Sequence, residues 1–282
     1  MTLWSLKEGK NMELNKYLSK PYGAETRQFK KDGGMVLSPS SISKFFENAH
    51  EWWLDRQGMP TFDGNTNTVL GNAVHAAIDA YYDGEEVTEE DVEQWIHVAY
   101  AAQMDCVVGK DKKTGKIITK VDPDEVLAHF TNMFNAWKAG YADMYPAPDK
   151  REHPVRMQVE DKMILAGTFD GYESDRRVLI DYKTSGKMVS SMSKAHKFQL
   201  TSYAVAMIAD GLEVDSIRVV YIIKPTKTLP ARTVIFEEEL TEKMLMEQVL
   251  VMKNMQRSIN AVRENPELAD IVFRENLLSS WN

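Results

Sequence analysis

Cysteine is almost missing from this sequence: of its 282 residues only Cys106 is one. A single cysteine excludes an internal disulfide and any four-cysteine metal or iron–sulfur site held within one chain. Cys106 itself reads as a small apolar filler on a helix. A chain without disulfides suits a reducing compartment, so the cytoplasm is expected. Long apolar runs are missing too. No stretch of about 18 apolar residues occurs, so no membrane span is expected, and Met1 to Lys20 lacks the apolar core of a secretory signal. Positive charge is short: 34 Lys and Arg stand against 42 Asp and Glu, a net charge of -8. That sum does not exclude a nucleic-acid partner, because phosphate binding depends on local potential and an acidic metal site lowers the total. It confines any such contact to a patch.

What is present falls into two halves. Residues 1–36 are polar and Lys-rich, broken by Gly33-Gly34, and read as an arm. Ser38-Pro39-Ser40-Ser41 is a helix entry, with a capping hydroxyl followed by proline. Apolar residues at helical spacing then run to about Gln57. A second helix is expected over 67–82, closed by Asp83-Gly84, and a third begins at Thr88, with Asp91 as its acidic first-turn partner. Lys110 to Lys120 is a basic loop or hairpin, and Asp122-Pro123 opens a fourth helix ending near Gly140 or Tyr145. Past a turn at Pro146 to Asp149 the pattern changes to strands, over 153–160, 163–172 and 177–183. A helix over 194–209, strands over 216–224 and 232–237, and a long helix over 241–263 complete the chain. No internal repeat is visible. The order implies an α/β (α+β) fold, a mixed central sheet flanked by helices with an N-terminal helical part.

The segment that carries chemistry is Gly167-x-x-Asp170 followed by Asp181-Tyr182-Lys183. A tight turn at Asp175-Arg176 would set Asp170 opposite Asp181 on antiparallel strands. Lys183, two residues on, would emerge from the same face as Asp181. Two opposed carboxylates repel, and a divalent cation between them removes that cost. Hard oxygen ligands suit Mg²⁺ or Mn²⁺. Such an ion polarises a phosphoryl oxygen and lowers the pKa of bound water. A neighbouring lysine can orient or help deprotonate that water, or neutralise charge on phosphorus. Alone, Asp181-x-Lys183 would read as a solvated strand end, since Glu160-Asp161-Lys162 and Asp111-Lys112-Lys113 share the spacing. Leu179-Ile180 before it and the opposing Gly-x-x-Asp strand set it apart.

Together, Gly167-x-x-Asp170, Ile180-Asp181-Tyr182-Lys183-Thr184 and Gln199-x-x-x-Tyr203 resemble the signature of the RecB-type branch of the PD-(D/E)XK nuclease superfamily. Upstream, Leu37-Ser38-Pro39-Ser40-Ser41-Ile42 resembles that branch's opening helix, and Gly71-x-x-x-His75 its Gly-x-x-x-His helix. The resemblance implies a restriction-endonuclease-like fold and a role for each matched position. His75, Asp170 and Asp181 would be metal ligands, with the Tyr182 carbonyl as a backbone ligand. Lys183 would activate water. Gln199 and Tyr203, four apart on one helix face, would support the catalytic groups or the scissile phosphate. Glu152 takes the place of a further acidic residue, with Glu160 as its rival. Asp79, one turn after His75, is either a partner to the imidazole or a solvated position.

The family's iron–sulfur members carry a cysteine soon after the opening helix and three near the C-terminus. Here the first stretch reads Glu47-Asn48-Ala49-His50 and the C-terminal region has none. The resemblance therefore implies no iron–sulfur cluster and points toward the cluster-free phage and prophage exonucleases. It implies DNA as substrate and work in recombination, repair or replication. A recombination or single-strand-binding protein, or a second copy of the chain, are the further partners it leaves open, and a non-catalytic DNA-binding adaptor or a structure-specific endonuclease are the rival readings. On this reading 1–36 is an arm, 37–145 the helical part completing the site, 146–240 the nuclease core and 241–282 the C-terminal helix and tail. Lys187, Lys194 and Lys197, and Lys113 and Lys116 in the basic loop, are candidate phosphate contacts; the loop reads equally as ordinary solvated chain. Trp52, Trp53 and Phe62 are either core or stacking surfaces for bases, and the methionine-rich stretch from Met244 to Met255 is a packing surface.

Overall fold

Alternating apolar residues between Lys150 and Glu239 form five long strands, and these build the sheet that positions everything else. The computed structural model describes residues 24–56, 66–88, 90–94, 109–110, 117–118 and 123–273. Lys113, Lys116, Phe62 and Cys106 lie outside the described residues. The strands are β1 (Met35–Leu37), β2 (Gly109–Lys110), β3 (Ile117–Ile118), β4 (Lys150–Glu160), β5 (Met163–Glu173), β6 (Val178–Ser185), β7 (Ser216–Ile223) and β8 (Arg232–Glu239). The helices are α1 (Ala24–Lys31), α2 (Pro39–Glu47), α3 (Ala49–Arg56), α4 (Thr66–Tyr82), α5 (Pro123–Trp137), α6 (Lys194–Ala209), α7 (Glu242–Glu264) and α8 (Ala269–Val272). No helix among the described residues is long and apolar enough to cross a membrane.

The six-stranded sheet runs β1-β5-β6-β7-β8, with β4 on the other edge of β5. The β1–β5 and β6–β7 pairs are parallel and the rest antiparallel, which makes the sheet mixed. The β5–β6 hairpin has the expected register: Gly171 faces Ile180, Tyr172 faces Leu179 and Glu173 faces Val178. The ladder then stops. On the same edge of β5, β1 pairs only with Met163 to Leu165. Residues 166–170 therefore have no strand on that side, and β5 and β6 part like a fork.

Helices cover both faces. Leu179, Ile217, Val219 and Tyr221 pack in one core with α2, α6 and α7. Ile180, Tyr182, Val220 and Ile222 point the other way, into a core with α4 and α5. Strand β6 thus delivers alternate residues to opposite sides.

One expected element differs. The apolar run after Ser38 is two helices, not one. Ser38 caps α2 through Ser41 N–H at 3.1 Å, but Asn48 interrupts the run and its Oδ1 caps α3 at Glu51 N–H, 2.9 Å away. The bend turns Trp52 inward: it is 2% exposed, its Nε1 donates to Ser41 Oγ at 2.9 Å, and its ring meets Phe45 edge-on. Trp53 packs on Phe273. Both tryptophans belong to the core and not to a base-stacking surface. The methionine stretch divides in the same way, with Met252 and Met255 buried and Met246 exposed.

Candidate active site

Asp170 sits at the crotch of the fork. Its Oδ2 accepts a hydrogen bond from the Tyr182 N–H at 2.8 Å, a contact that replaces the strand pair expected with Asp181. On the α4 side, His75 Nδ1 lies 3.7 Å from the same oxygen. The third member comes from β4. Arg151 pairs with Gly171 and His153 with Phe169, but Glu152 between them takes a left-handed backbone, φ 41°. A non-glycine residue is strained there. Donor atoms of His75, Glu152 and Asp170 all lie within 4.8 Å of one another.

Two glycines make the approach feasible. A Cβ on Gly71, one turn before His75, would stand 3.2 Å from Thr184 Oγ1, so glycine lets α4 lie against the end of β6. A Cβ on Gly167 would stand 2.9 Å from Pro39 Cδ and 3.0 Å from the Tyr203 ring and hydroxyl. Gly167 therefore admits Tyr203 of α6 and the opening helix together.

Asp181 lies beside this cluster, 3% exposed. Its Oδ1 accepts from Lys183 Nζ at 2.8 Å, and its Oδ2 has no partner among the described residues. Burial pushes Asp181 up to about 6, against the pull of Lys183 and with the repulsion of Asp170. Glu152 is pushed up to about 7, by burial first and then by Asp170 and Asp79. Asp79 is raised by burial, against Arg151 and with Asp170. Burial works against the Lys183 ammonium, but Asp181 and Asp170 outweigh it and hold its pKa above the ordinary lysine value. Burial, then Asp170 and Asp181, raise the Tyr203 hydroxyl, which Gln199 also reaches.

An imidazole, several crowded carboxylates and an orphaned carboxylate oxygen form a donor set that fits a hard divalent cation. A cation would reverse the repulsion that raises these acids.

The remaining candidates divide. Glu160 is at the far end of β4, 3.8 Å from Lys253 and from Arg257, and is not brought to the site. Lys187, after β6, and Lys194, the first residue of α6, are exposed, while Lys197 is ion-paired with Glu238. Sequence reasoning missed Arg151. Its Nη1 donates to the Asp79 carbonyl at 3.0 Å and its Nη2 pairs with Asp83, so it braces the end of α4 against β4. The clamp spans 72 residues and leaves no local signal. For Asp79 the four-residue step from His75 was the available signal.

The profile of the PD-(D/E)XK nuclease superfamily matches residues 36–275. Among solved structures, a candidate exonuclease from Eubacterium rectale is 12% identical, covers 84% of each chain and superposes with a TM-score of 0.50. A phage-related exonuclease from Haemophilus somnus is 14% identical over 70% of this chain and 94% of that one, with a TM-score of 0.29. At such identity the first likeness speaks to the fold alone. No curated protein matches the chain significantly. The mixed sheet between helix layers is the restriction-endonuclease-like arrangement expected from the sequence. The chain belongs to the PD-(D/E)XK nuclease superfamily.

Proposed function

We propose that this chain is a divalent-metal-dependent deoxyribonuclease that hydrolyses phosphodiesters from a DNA end, in recombination, repair or phage replication. The observation that carries the reading is the convergence of His75, Glu152 and Asp170 within 4.8 Å beside the Asp181–Lys183 pair. Mg²⁺ or Mn²⁺ is the ion this donor set favours. When bound, the ion supplies polarisation of a phosphoryl oxygen and a water of lowered pKa. His75, Glu152, Asp170 and Asp181, with the Tyr182 carbonyl, would hold it. Lys183, tethered by Asp181, presents its amino group to the attacking water or to the charge growing on the phosphate. Gln199 and Tyr203 on α6 orient the phosphate from the opposite wall. Lys187 and Lys194 hold the strand outside the site. The helical part over 37–145 contributes His75 to the core over 146–240. Work from an end rests on the likeness of the motif set to the cluster-free phage exonucleases.

Labelled linear and closed circular DNA, incubated with Mn²⁺ and then with EDTA, test this. Linear DNA is expected to shorten only with Mn²⁺, circles to survive, and Lys183→Ala to be inert. Cut circles would make the protein an endonuclease. If wild type and Lys183→Ala alike leave every substrate intact, the chain is a DNA-binding adaptor.

A further inference from the structure

Helix α6 turns one more polar side chain toward the site than the Gln199 and Tyr203 expected from the sequence. His196 precedes them by three and seven residues, so it shares their face one turn nearer the start of the helix. Its ring is built into strand β7. Tyr221 is the register partner of Lys183 on that neighbouring parallel strand, so the two side chains leave the sheet side by side on one face. The Tyr221 hydroxyl accepts the Ser193 N–H at 3.1 Å and meets His196 Nδ1 at 2.7 Å. Ser193 Oγ in turn accepts the His196 backbone N–H at 3.1 Å. Three hydrogen bonds thus fix the first turn of α6, the phenol and the imidazole to one another beside Lys183.

This closed set of bonds selects a tautomer. Tyr221 is buried, and a phenol proton left there without an acceptor would be costly. Ser193 already donates to the oxygen, so the phenol proton goes to Nδ1 and the ring carries its own proton on Nε2. Burial, and then the charge of Lys183, push the His196 pKa down to about 4, so the ring stays neutral beside a charged lysine. The side chain is only half-buried, and Nε2, across the ring from the Tyr221 bond, has no hydrogen-bond partner among the described residues. An imidazolium here would repel the Lys183 ammonium. A neutral N–H adds a donor without competing with Lys183 for Asp181.

We propose that the Nε2–H of His196 donates a hydrogen bond to a non-bridging oxygen of the scissile phosphate, and that Tyr221 is the residue that positions it. The proposal rests on the nuclease reading for the identity of the phosphate, but the bond can be read without cleavage. His196 stands between the two groups that reading already directs at the phosphate, Lys183 on β6 and Gln199 on α6. A phosphate oxygen is the acceptor that a fixed, unpartnered donor in this place fits.

The test uses NMR of the full chain with nitrogen-labelled histidine rings, the His196 signals being those missing from His196→Gln. In EDTA they are expected to show the Nε2–H tautomer, and short duplex or single-stranded DNA should shift Nε2 more than Nδ1. Tyr221→Phe should mix the tautomers. The Nδ1–H tautomer in wild type, or no shift with either DNA, overturns the proposal, and both are read on the unaltered protein. With Mn²⁺, His196→Ala should lower kcat/KM for cleavage of linear DNA about 10- to 100-fold, the loss of one hydrogen bond to a charged group. His196→Gln, whose side chain still ends in an N–H, should recover most of it, which a residue needed only for packing would not predict. A folded His196→Ala that cuts as fast as wild type sinks the role of His196 alone. A DNA-dependent Nε2 shift in a protein that never cuts sinks the nuclease reading alone.

Discussion

At the turn end of the β5–β6 hairpin, Arg218 is fully buried and paired with acids: it meets Glu173, Glu237 at 2.7 Å and the Tyr141 hydroxyl at 3.1 Å. Arg176 adds a further contact to Glu173 at 3.2 Å. At the open end of the same two strands, His75, Glu152 and Asp170 converge beside Asp181, whose Oδ1 accepts from the Lys183 ammonium. One oxygen of Asp181 is buried with no hydrogen-bond partner among the described residues. The first cluster balances its charge internally, as buried ions must where nothing else arrives. The second is left with an excess of acid and a strained backbone at Glu152. The difference marks the open end as the place where a ligand completes the electrostatics.

The sharpest way to break this contrast is to remove one group from each end. Lys183→Ala should lower the rate of DNA cleavage by about 10² to 10⁴-fold, the range for loss of a proton-handling group, while the protein stays folded. A variant that cuts at the wild-type rate in a single-turnover assay would remove Lys183 from the chemistry. Arg218→Ala should do the reverse. It leaves buried Glu173 with only the exposed Arg176 and Glu237 without its buried partner, and should cost about 3 to 5 kcal/mol in urea unfolding, with activity following the folded fraction. If Arg218→Ala is fully folded and inactive, the turn-end cluster is part of the machinery and the contrast fails.

The third prediction asks what the open end is waiting for. Mn²⁺ at about a hundred times its dissociation constant should stabilise wild type by about 2.7 kcal/mol. In EDTA, Asp170→Asn should be at least as stable as wild type, because it removes one of several mutually repelling carboxylates. Scanning calorimetry with and without Mn²⁺ reads both. A metal-induced shift that survives Asp170→Asn would move the ion elsewhere.

Much of this arrangement could be read before the fold was seen, and the reason is local. The β5–β6 register follows from a short turn between alternating strands, and α6 spans the residues 194–209 that the sequence pattern implied. What could not be read depends on contacts with no period. The break at Asn48 hangs on one capping side chain. The left-handed turn of Glu152, which sits beside His75 and Asp170 while Glu160 does not, shows only as a gap in the β4–β5 pairing. Arg151 with Asp79 and Arg218 with Tyr141 join residues 72 and 77 positions apart. Helical spacing placed Trp52 and Trp53 on an apolar stripe but could not say whether that stripe faced a core or a base.

His196 supplies the smallest effect, from beside the open end, where its partner Tyr221 pairs with Lys183 on the neighbouring strand. Tyr221 Oη accepts the Ser193 N–H at 3.1 Å, which leaves its own proton to donate to His196 Nδ1, 2.7 Å away. A nitrogen that accepts must be unprotonated, so the bond selects the neutral ring. Burial, and then the charge of Lys183, push its pKa from 6.5 down to about 4. The unfolded chain takes up this proton first as the pH falls. Below 6.5 it therefore binds more protons than the folded state, and the stability His196 contributes at neutral pH is lost progressively toward pH 4. His196→Gln should flatten the melting temperature against pH over that window and change it little above pH 7. Parallel slopes for the two proteins would mean that the imidazole is already charged in the fold, and that Lys183 is not near enough to discourage it.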